Sequence, residues 1–177
     1  MVSLTDIQRF FRGTILLSEP VAPYTTLGIG GPADYFLEAY STEELEELLK
    51  YFRENNFPHF ILQPNLLVNS EGFRGAIILD KTKGEMPQTG KRSAQMFKSD
   101  NESHAADFIR QAGVNGLLLG GAEVVGNSIV NSNDASARDI YDLVHHVQHI
   151  IFEQWNVLLP IELQFVGFEQ ASLVNVA

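Results

Sequence analysis

The chain has 177 residues, 45% of them apolar, and contains no cysteine. A chain of this size hides about 68–70% of its unfolded surface on folding, so one compact domain or two small ones can close a core. Its 22 acidic residues against 12 basic ones leave a formal charge of −10, which offers no footprint to a nucleic-acid backbone or an anionic membrane, and the missing thiols exclude disulfide scaffolds, thiolate metal sites and cysteine nucleophiles.

At the N-terminus Leu4, Ile7, Phe10 and Phe11 stand at helical spacing, without the charged start and continuous apolar run of a signal peptide. They predict a short amphipathic helix. No apolar run approaches the roughly 18 residues of a spanning helix, so the expectation is a soluble, cytoplasmic protein with neither membrane nor nucleic acid as partner. From Thr14 to about Asp80 short strands surround one strong helix. Tyr35–Glu38, His59–Leu62 and Ala76–Leu79 are β-branched and aromatic runs bounded by Gly, Pro and Asn. Between them Ser41 and Glu44 read as a capping box, and Leu45, Leu48, Leu49 and Phe52 form the apolar stripe of a helix over 42–55 whose Glu43, Glu46, Glu47 and Lys50 face water.

After Asp80 the composition shifts to KTKGEMPQTGKRSAQMFKSDN, and residues 81–96 read as a linker. Beyond it the pattern predicts a helix Ser103–Ala112 ending at Gly113, strands Leu117–Leu119 and Ser128–Val130, a long helix from Ser136 to near Trp155, and a strand Ile161–Val166. In the long helix Ile140, Leu143, Val144, Val147 and Ile151 make the buried stripe, and Ser136 is the N-cap with Asp139 three residues on. In the last strand Ile161, Leu163 and Phe165 alternate with Glu162 and Gln164, so Glu162 points away from the core.

Two features suggest sites and are read as structure. His145 and His149 form an i, i+4 pair beside His146, but no H-E-x-x-H motif accompanies them, so an exposed helix face is expected and no metal site. Gly28-Ile29-Gly30-Gly31 lacks the strand, helix and distal acid of a dinucleotide fingerprint and is read as a tight turn.

Four stretches in order resemble one family. YTTLGIGGPADYF, from Tyr24 to Phe36, is similar to "NTFGIGGPA". NLLVNSEGFRGAIIL, from Asn65 to Leu79, is similar to "SNLLVSDEGFDGVVI". FKSDNESHAADFIRQAGVNG, from Phe97 to Gly116, is similar to "FKNPxxxSAGxLIExAGLKG". From Gly120 onward, SIVNSNDASARDIYDLVHHVQ and WNVLLPIELQFVG are similar to "NFIVNxGNATAxDVxxLIxxVQ" and "FNVxLEPEVRFIG". The resemblance is to the UDP-N-acetylenolpyruvoylglucosamine reductases of peptidoglycan synthesis. It implies an α+β fold in which residues 1–80 are the first lobe of a flavin-binding domain of the vanillyl-alcohol-oxidase type and residues 97–177 the reductase C-terminal α+β domain. The second flavin lobe has no counterpart, since residues 80–96 are too few to pack one.

The family passes a hydride from nicotinamide to flavin to an enolpyruvyl sugar nucleotide and then protonates the product. The resemblance places Gly30 and Gly31, which let the chain approach the flavin, and Asn65, beside the flavin phosphate loop, as cofactor-binding residues. It also places Glu162 on the family's catalytic acid. Yet the glycine-rich phosphate loop is replaced by Leu62-Gln63-Pro64-Asn65-Leu66, in which Pro64 has no N–H to give, and a tight turn is expected there. Gln95 stands at the proton-donor serine and has no dissociable proton; Ser93, two residues upstream, is the substitute on offer. The substrate loop is reduced to a hairpin turn at Gly126-Asn127. Lys98 matches a family lysine. The expectation is a non-catalytic, homo-oligomeric relative without flavin. The alternatives are an active FAD- and NADPH-dependent reductase with flavin at an oligomer interface, and a module that binds a UDP-sugar without turnover.

Overall fold

In the computed structural model, residues 2–82, 84, 92–98 and 105–168 are described. The start of the expected helix at Ser103 and half of the expected linker lie outside them. Helix α1 (Leu4–Phe10) is capped by Ser3, whose hydroxyl accepts from the Asp6 N–H, and buries Ile7. Strand β1 (Thr14–Pro20) and a single 3-10 turn, Ala22–Tyr24, lead to β2 (Pro32–Ala39). Helix α2 (Thr42–Glu54) follows, with Ser41 as N-cap and Leu48 and Phe52 buried. The Ser41–Glu44 box closes only halfway: the Ser41 hydroxyl accepts from the Glu44 N–H, but the Glu44 carboxylate takes the N–H of Tyr40, one residue further out.

Strands β3 (His59–Ile61), β4 (Leu66–Val68) and β5 (Phe73–Asp80) complete the N-terminal half. The order of the first sheet is β1-β2-β5-β3, with β1–β2 antiparallel and β5 parallel to both its neighbours. A strand at the centre of such a sheet is covered on both faces. Alternate residues of β5 accordingly go opposite ways: Ala76 and Ile78 pack with Leu48 and Phe52 under α2, whereas Ile77 and Leu79 pack with Phe36 and Leu66 on the far side.

The C-terminal half holds β6 (Ser93–Gln95), α3 (Ala105–Gln111), β7 (Leu118–Leu119), β8 (Ala122–Val125), β9 (Ser128–Asn131), α4 (Ala137–Trp155) and β10 (Gln164–Val166). Ser93–Gln95, inside the stretch read as linker, thus form a strand in the antiparallel sheet β6-β9-β8-β7. The hairpin β8–β9 turns at Gly126-Asn127, with Val125 opposite Ser128 and Gly126 at φ 56°, a conformation glycine adopts without strain. Helix α4 lays Ile140, Leu143, Val144, Val147 and Ile151 into the core. Its capping box closes fully: the Ser136 hydroxyl accepts from the Asp139 N–H and the Asp139 carboxylate from the Ser136 N–H. The predicted strand Ile161–Val166 is shorter than its alternation suggests, because Ile161 makes only an isolated bridge to Phe97 and the continuous strand begins at Gln164.

The halves meet along β4 and β10, which pair in parallel. All three residues of β4 are buried. Leu66 and Val68 enter the core of the first sheet and Leu67 the core beneath α4, so this short strand is a wall common to both. The architecture is α+β, as the sequence predicts. Among the described residues, no helix is long and apolar enough to cross a membrane.

Candidate functional site

At one end of the β4–β10 seam lies a cavity of about 330 Å³ lined by Thr26, Pro64, Asn65, Ser93, Ala94, Gln95 and Glu162. Four separate segments build it. The first is the loop after the 3-10 turn. Thr25 closes it: its buried hydroxyl accepts from the Ile29 N–H and lies within hydrogen-bond distance of the carbonyls of Ala22 and Ile29. With Thr25 locked, its neighbour Thr26 lines the cavity. Two bonds hold the loop against the C-terminal half: the Arg92 N–H donates to the Thr26 carbonyl, and the buried Asn131 side chain donates to the Leu27 carbonyl.

Residues 63–65 form the second segment. The Leu66 N–H donates to the Gln63 carbonyl at 3.0 Å, which closes a tight turn around Pro64. Asn65 is tied to the chain end, as its side-chain amide donates to the Glu162 carbonyl at 2.7 Å and its own carbonyl accepts from Gln164 at 2.9 Å. The third segment is β6. The Gln95 side-chain N–H donates to the Phe97 carbonyl, which Asn127 also holds through its amide. Glu162 supplies the fourth. Its N–H donates to the Met96 carbonyl and its C=O accepts from Asn65, so the backbone beneath this carboxylate is held on both sides.

The structure therefore brings together Glu162, Asn65, Ser93 and Gln95, which lie up to about a hundred residues apart in the chain. Gly30 and Gly31 are not among the lining residues. Gly31 donates its N–H to the Asn69 carbonyl, and a Cβ there would run into the Ser70 carbonyl, so this glycine is needed for close packing of two loops. The Gly30 carbonyl accepts from Ala22. Lys98 is exposed beyond the cavity, its N–H bonded to the Pro160 carbonyl. On α4, the His145 ring packs 4.1 Å from that of Tyr141, and His149 sits 3.5 Å from the Glu153 carboxylate. Among the described residues no three His, Cys, Asp or Glu side chains gather to hold a metal. Thr26 is the lining residue that sequence reasoning missed. Nothing in the string Thr25-Thr26 tells which hydroxyl closes the loop and which is left over.

As chemistry, the described lining offers two hydroxyls, two carboxamides with one N–H each engaged, and one carboxylate. Among the described residues it contains no Lys, Arg or His.

Comparison with known proteins gives the class first. Residues 86–166 match the family model described as UDP-N-acetylenolpyruvoylglucosamine reductase, C-terminal domain. The chain is 30% identical over 148 residues to the UDP-N-acetylenolpyruvoylglucosamine reductase of Trichlorobacter lovleyi, covering 81% of this chain and 49% of that protein. It is 34% identical over 148 residues to the reductase of Carboxydothermus hydrogenoformans, covering 80% of this chain and 48% of that one. The crystal structure of UDP-N-acetylenolpyruvylglucosamine reductase from Thermus caldophilus superposes with a TM-score of 0.62 at 18% identity, over 89% of this chain and 100% of that chain, and so shares its fold. The chain belongs to the UDP-N-acetylenolpyruvoylglucosamine reductase family. It spans about half the length of the curated relatives it matches.

Proposed function

We propose that this chain is a flavin-free, non-catalytic member of the family that acts by binding, as a homo-oligomer in the cytoplasm. The observation that carries this reading is the turn at Gln63-Pro64-Asn65. A flavin pyrophosphate is held by successive backbone N–H groups presented by a loop. Here Pro64 has no N–H, the Leu66 N–H is spent on closing the turn, and the side-chain amide and carbonyl of Asn65 are committed to the residues leading into β10. Each charge-assisted bond forgone weakens anion binding by about 1.5–3 kcal/mol. The oligomer is supported by the C-terminal sheet, where Leu118, Leu119 and Val125 are 61%, 40% and 49% exposed; exposed apolar residues on a short edge strand are a place where another chain can pack.

The visible absorption spectrum of the purified protein, before and after incubation with excess FAD and gel filtration, tests the proposal. A colourless protein is the expected result, and flavin that survives filtration overturns it. A second reading, the active FAD- and NADPH-dependent reductase, is favoured by the presence of Ser93 and Glu162 in one cavity. It requires NADPH oxidation dependent on UDP-N-acetylglucosamine enolpyruvate and lost in Glu162→Gln.

A further inference from the structure

We propose that the cavity at the seam binds a small organic cation, a primary amine of a few heavy atoms, between the Glu162 carboxylate and the hydroxyls of Thr26 and Ser93. The inference rests on the flavin-free reading, since the cavity has to be open to a ligand, and it names the ligand class of that site.

The first ground is Thr26. It is 7% exposed, it lines the cavity, and its hydroxyl oxygen is the one buried side-chain polar atom without a hydrogen-bond partner among the described residues. Buried polar groups are almost always paired; this oxygen is shielded, but it belongs to a residue of the cavity wall, where a small turn of the side chain toward a bound donor would pair it. The second ground is Glu162. Its backbone is held on both sides, while among the described residues its carboxylate enters no ion pair. A carboxylate on a loose chain end would be an ordinary solvated charge, but the backbone of this one is anchored beside a cavity that Thr26, with its unpaired hydroxyl, also lines.

The third ground is the balance of donors and acceptors. Each lining amide spends one of its two N–H donors, Gln95 on the Phe97 carbonyl and Asn65 on the Glu162 carbonyl, and keeps its oxygen as an acceptor. With two amide oxygens, two hydroxyls and a carboxylate as the one formal charge, the described lining favours a ligand that donates. An ammonium group is its complement, carrying three donors and no acceptor. An anion would instead meet a carboxylate with no Lys or Arg among the described lining residues to offset it, on a chain whose formal charge is already −10, a field that enriches cations and repels anions. Size allows it: 330 Å³ lies at the small end of the roughly 300–1,000 Å³ range of small-ligand pockets, ample for a primary amine of a few heavy atoms. The larger surface hollow of 620 Å³ beside Asn69 and Phe168 carries no such signal, because its Arg74 and Arg138 already pair with Asp34 and Asp142.

The test is an NMR titration of isotope-labelled full chain at neutral pH with propylamine and, separately, with propionate, a probe of similar size and opposite charge. The visible spectrum of the same sample is recorded first. The expected result is saturable shifts at the amides of Thr26, Ser93, Gln95 and Glu162 with propylamine, and none at those positions with propionate at tenfold higher concentration. Glu162→Gln should weaken propylamine binding at least tenfold. Thr26→Val, which keeps the shape of the side chain, should weaken it several-fold without lowering the thermal midpoint of the ligand-free protein. Propionate binding as tightly as propylamine, or propylamine binding that is indifferent to Glu162→Gln, would overturn the proposal. A yellow sample overturns the flavin-free reading; a colourless sample that ignores propylamine leaves that reading standing and overturns this one alone.

Discussion

The first sheet, β1-β2-β5-β3, is packed on both faces, by α1 and α2 on one side and by β4, Val21 and Val166 on the other. The second, β6-β9-β8-β7, is packed beneath α4, and it leaves Leu118 and Leu119 in water at its β7 edge and Val125 in water at the β8–β9 turn. Both were built from equally good local instructions: alternating strands, a serine-capped helix and a tight turn. The difference lies in what covers the outer surface, and short-range pattern does not encode that. A fully sandwiched sheet gains its stability from within one chain. A sheet with apolar residues on an exposed edge has stability still to gain, and an open edge is also the place where another strand can add.

The sharpest way to break the comparison is to remove one large side chain from each half. Phe52 is fully buried under α2, while Phe152, on the outer face of α4, is 42% exposed. Phe52→Ala should cost about 3–5 kcal/mol through lost burial and the cavity left behind, on the order of ten degrees in thermal midpoint for a chain of this length. Phe152→Ala should fall within about 0.5 kcal/mol, as surface changes do. Thermal or urea unfolding of the two variants reads both. Equal losses would mean that the outer face of α4 is covered in solution.

Part of this arrangement is legible in the sequence. Helices α2 and α4 follow from their apolar period and serine caps, and β5 from an apolar run long enough to be covered on both faces. The tight turn at Pro64 and the hairpin at Gly126 were likewise readable, because Pro and Gly restrict or free the backbone locally. Strand β1 was not singled out, since as an edge strand it buries little and alternates weakly. Nor was the seam, because the pairing of Leu66–Val68 with Gln164–Val166 joins segments nearly a hundred residues apart, and periodicity says nothing about which distant strand is a partner. The cavity shows the same limit. Glu162, Asn65, Gln95 and Ser93 were candidates through resemblance, one position at a time. That they share one enclosure with Thr26 depends on the Asn131–Leu27 and Arg92–Thr26 bonds, which tie a loop of the first half to the sheet of the second.

A smaller effect sharpens the contrast between the two helix caps. Ser136 and Asp139 exchange both hydrogen bonds of a capping box, whereas the Ser41 hydroxyl accepts from the Glu44 N–H but the Glu44 carboxylate accepts from Tyr40 and not from Ser41. Ser136→Ala removes a cap from the longest helix and should cost about 1 kcal/mol. Asp139→Asn retains a polar group but weakens the interaction with the helix N-terminus, so about 0.3–1 kcal/mol of the loss should be charge-dependent and fade with salt. Urea unfolding at low and high ionic strength separates the two components.

The smallest effect on stability should bring the largest change in assembly. Leu118 and Leu119 occupy β7, both exposed and, among the described residues, paired on one side only, to Glu123 and Ala122. Replacing both with lysine puts charge on an open edge, a common way for natural sheets to discourage strand addition. As each side chain already faces water, the double variant should keep its urea midpoint at low protein concentration. If the second sheet is completed by another copy of the chain, light scattering after gel filtration should show the parent as a dimer or larger and the variant as a monomer. A parent that is already monomeric at high concentration would remove the oligomer from the proposal while leaving the cavity and its ligand chemistry untouched, because every residue lining that cavity comes from one chain.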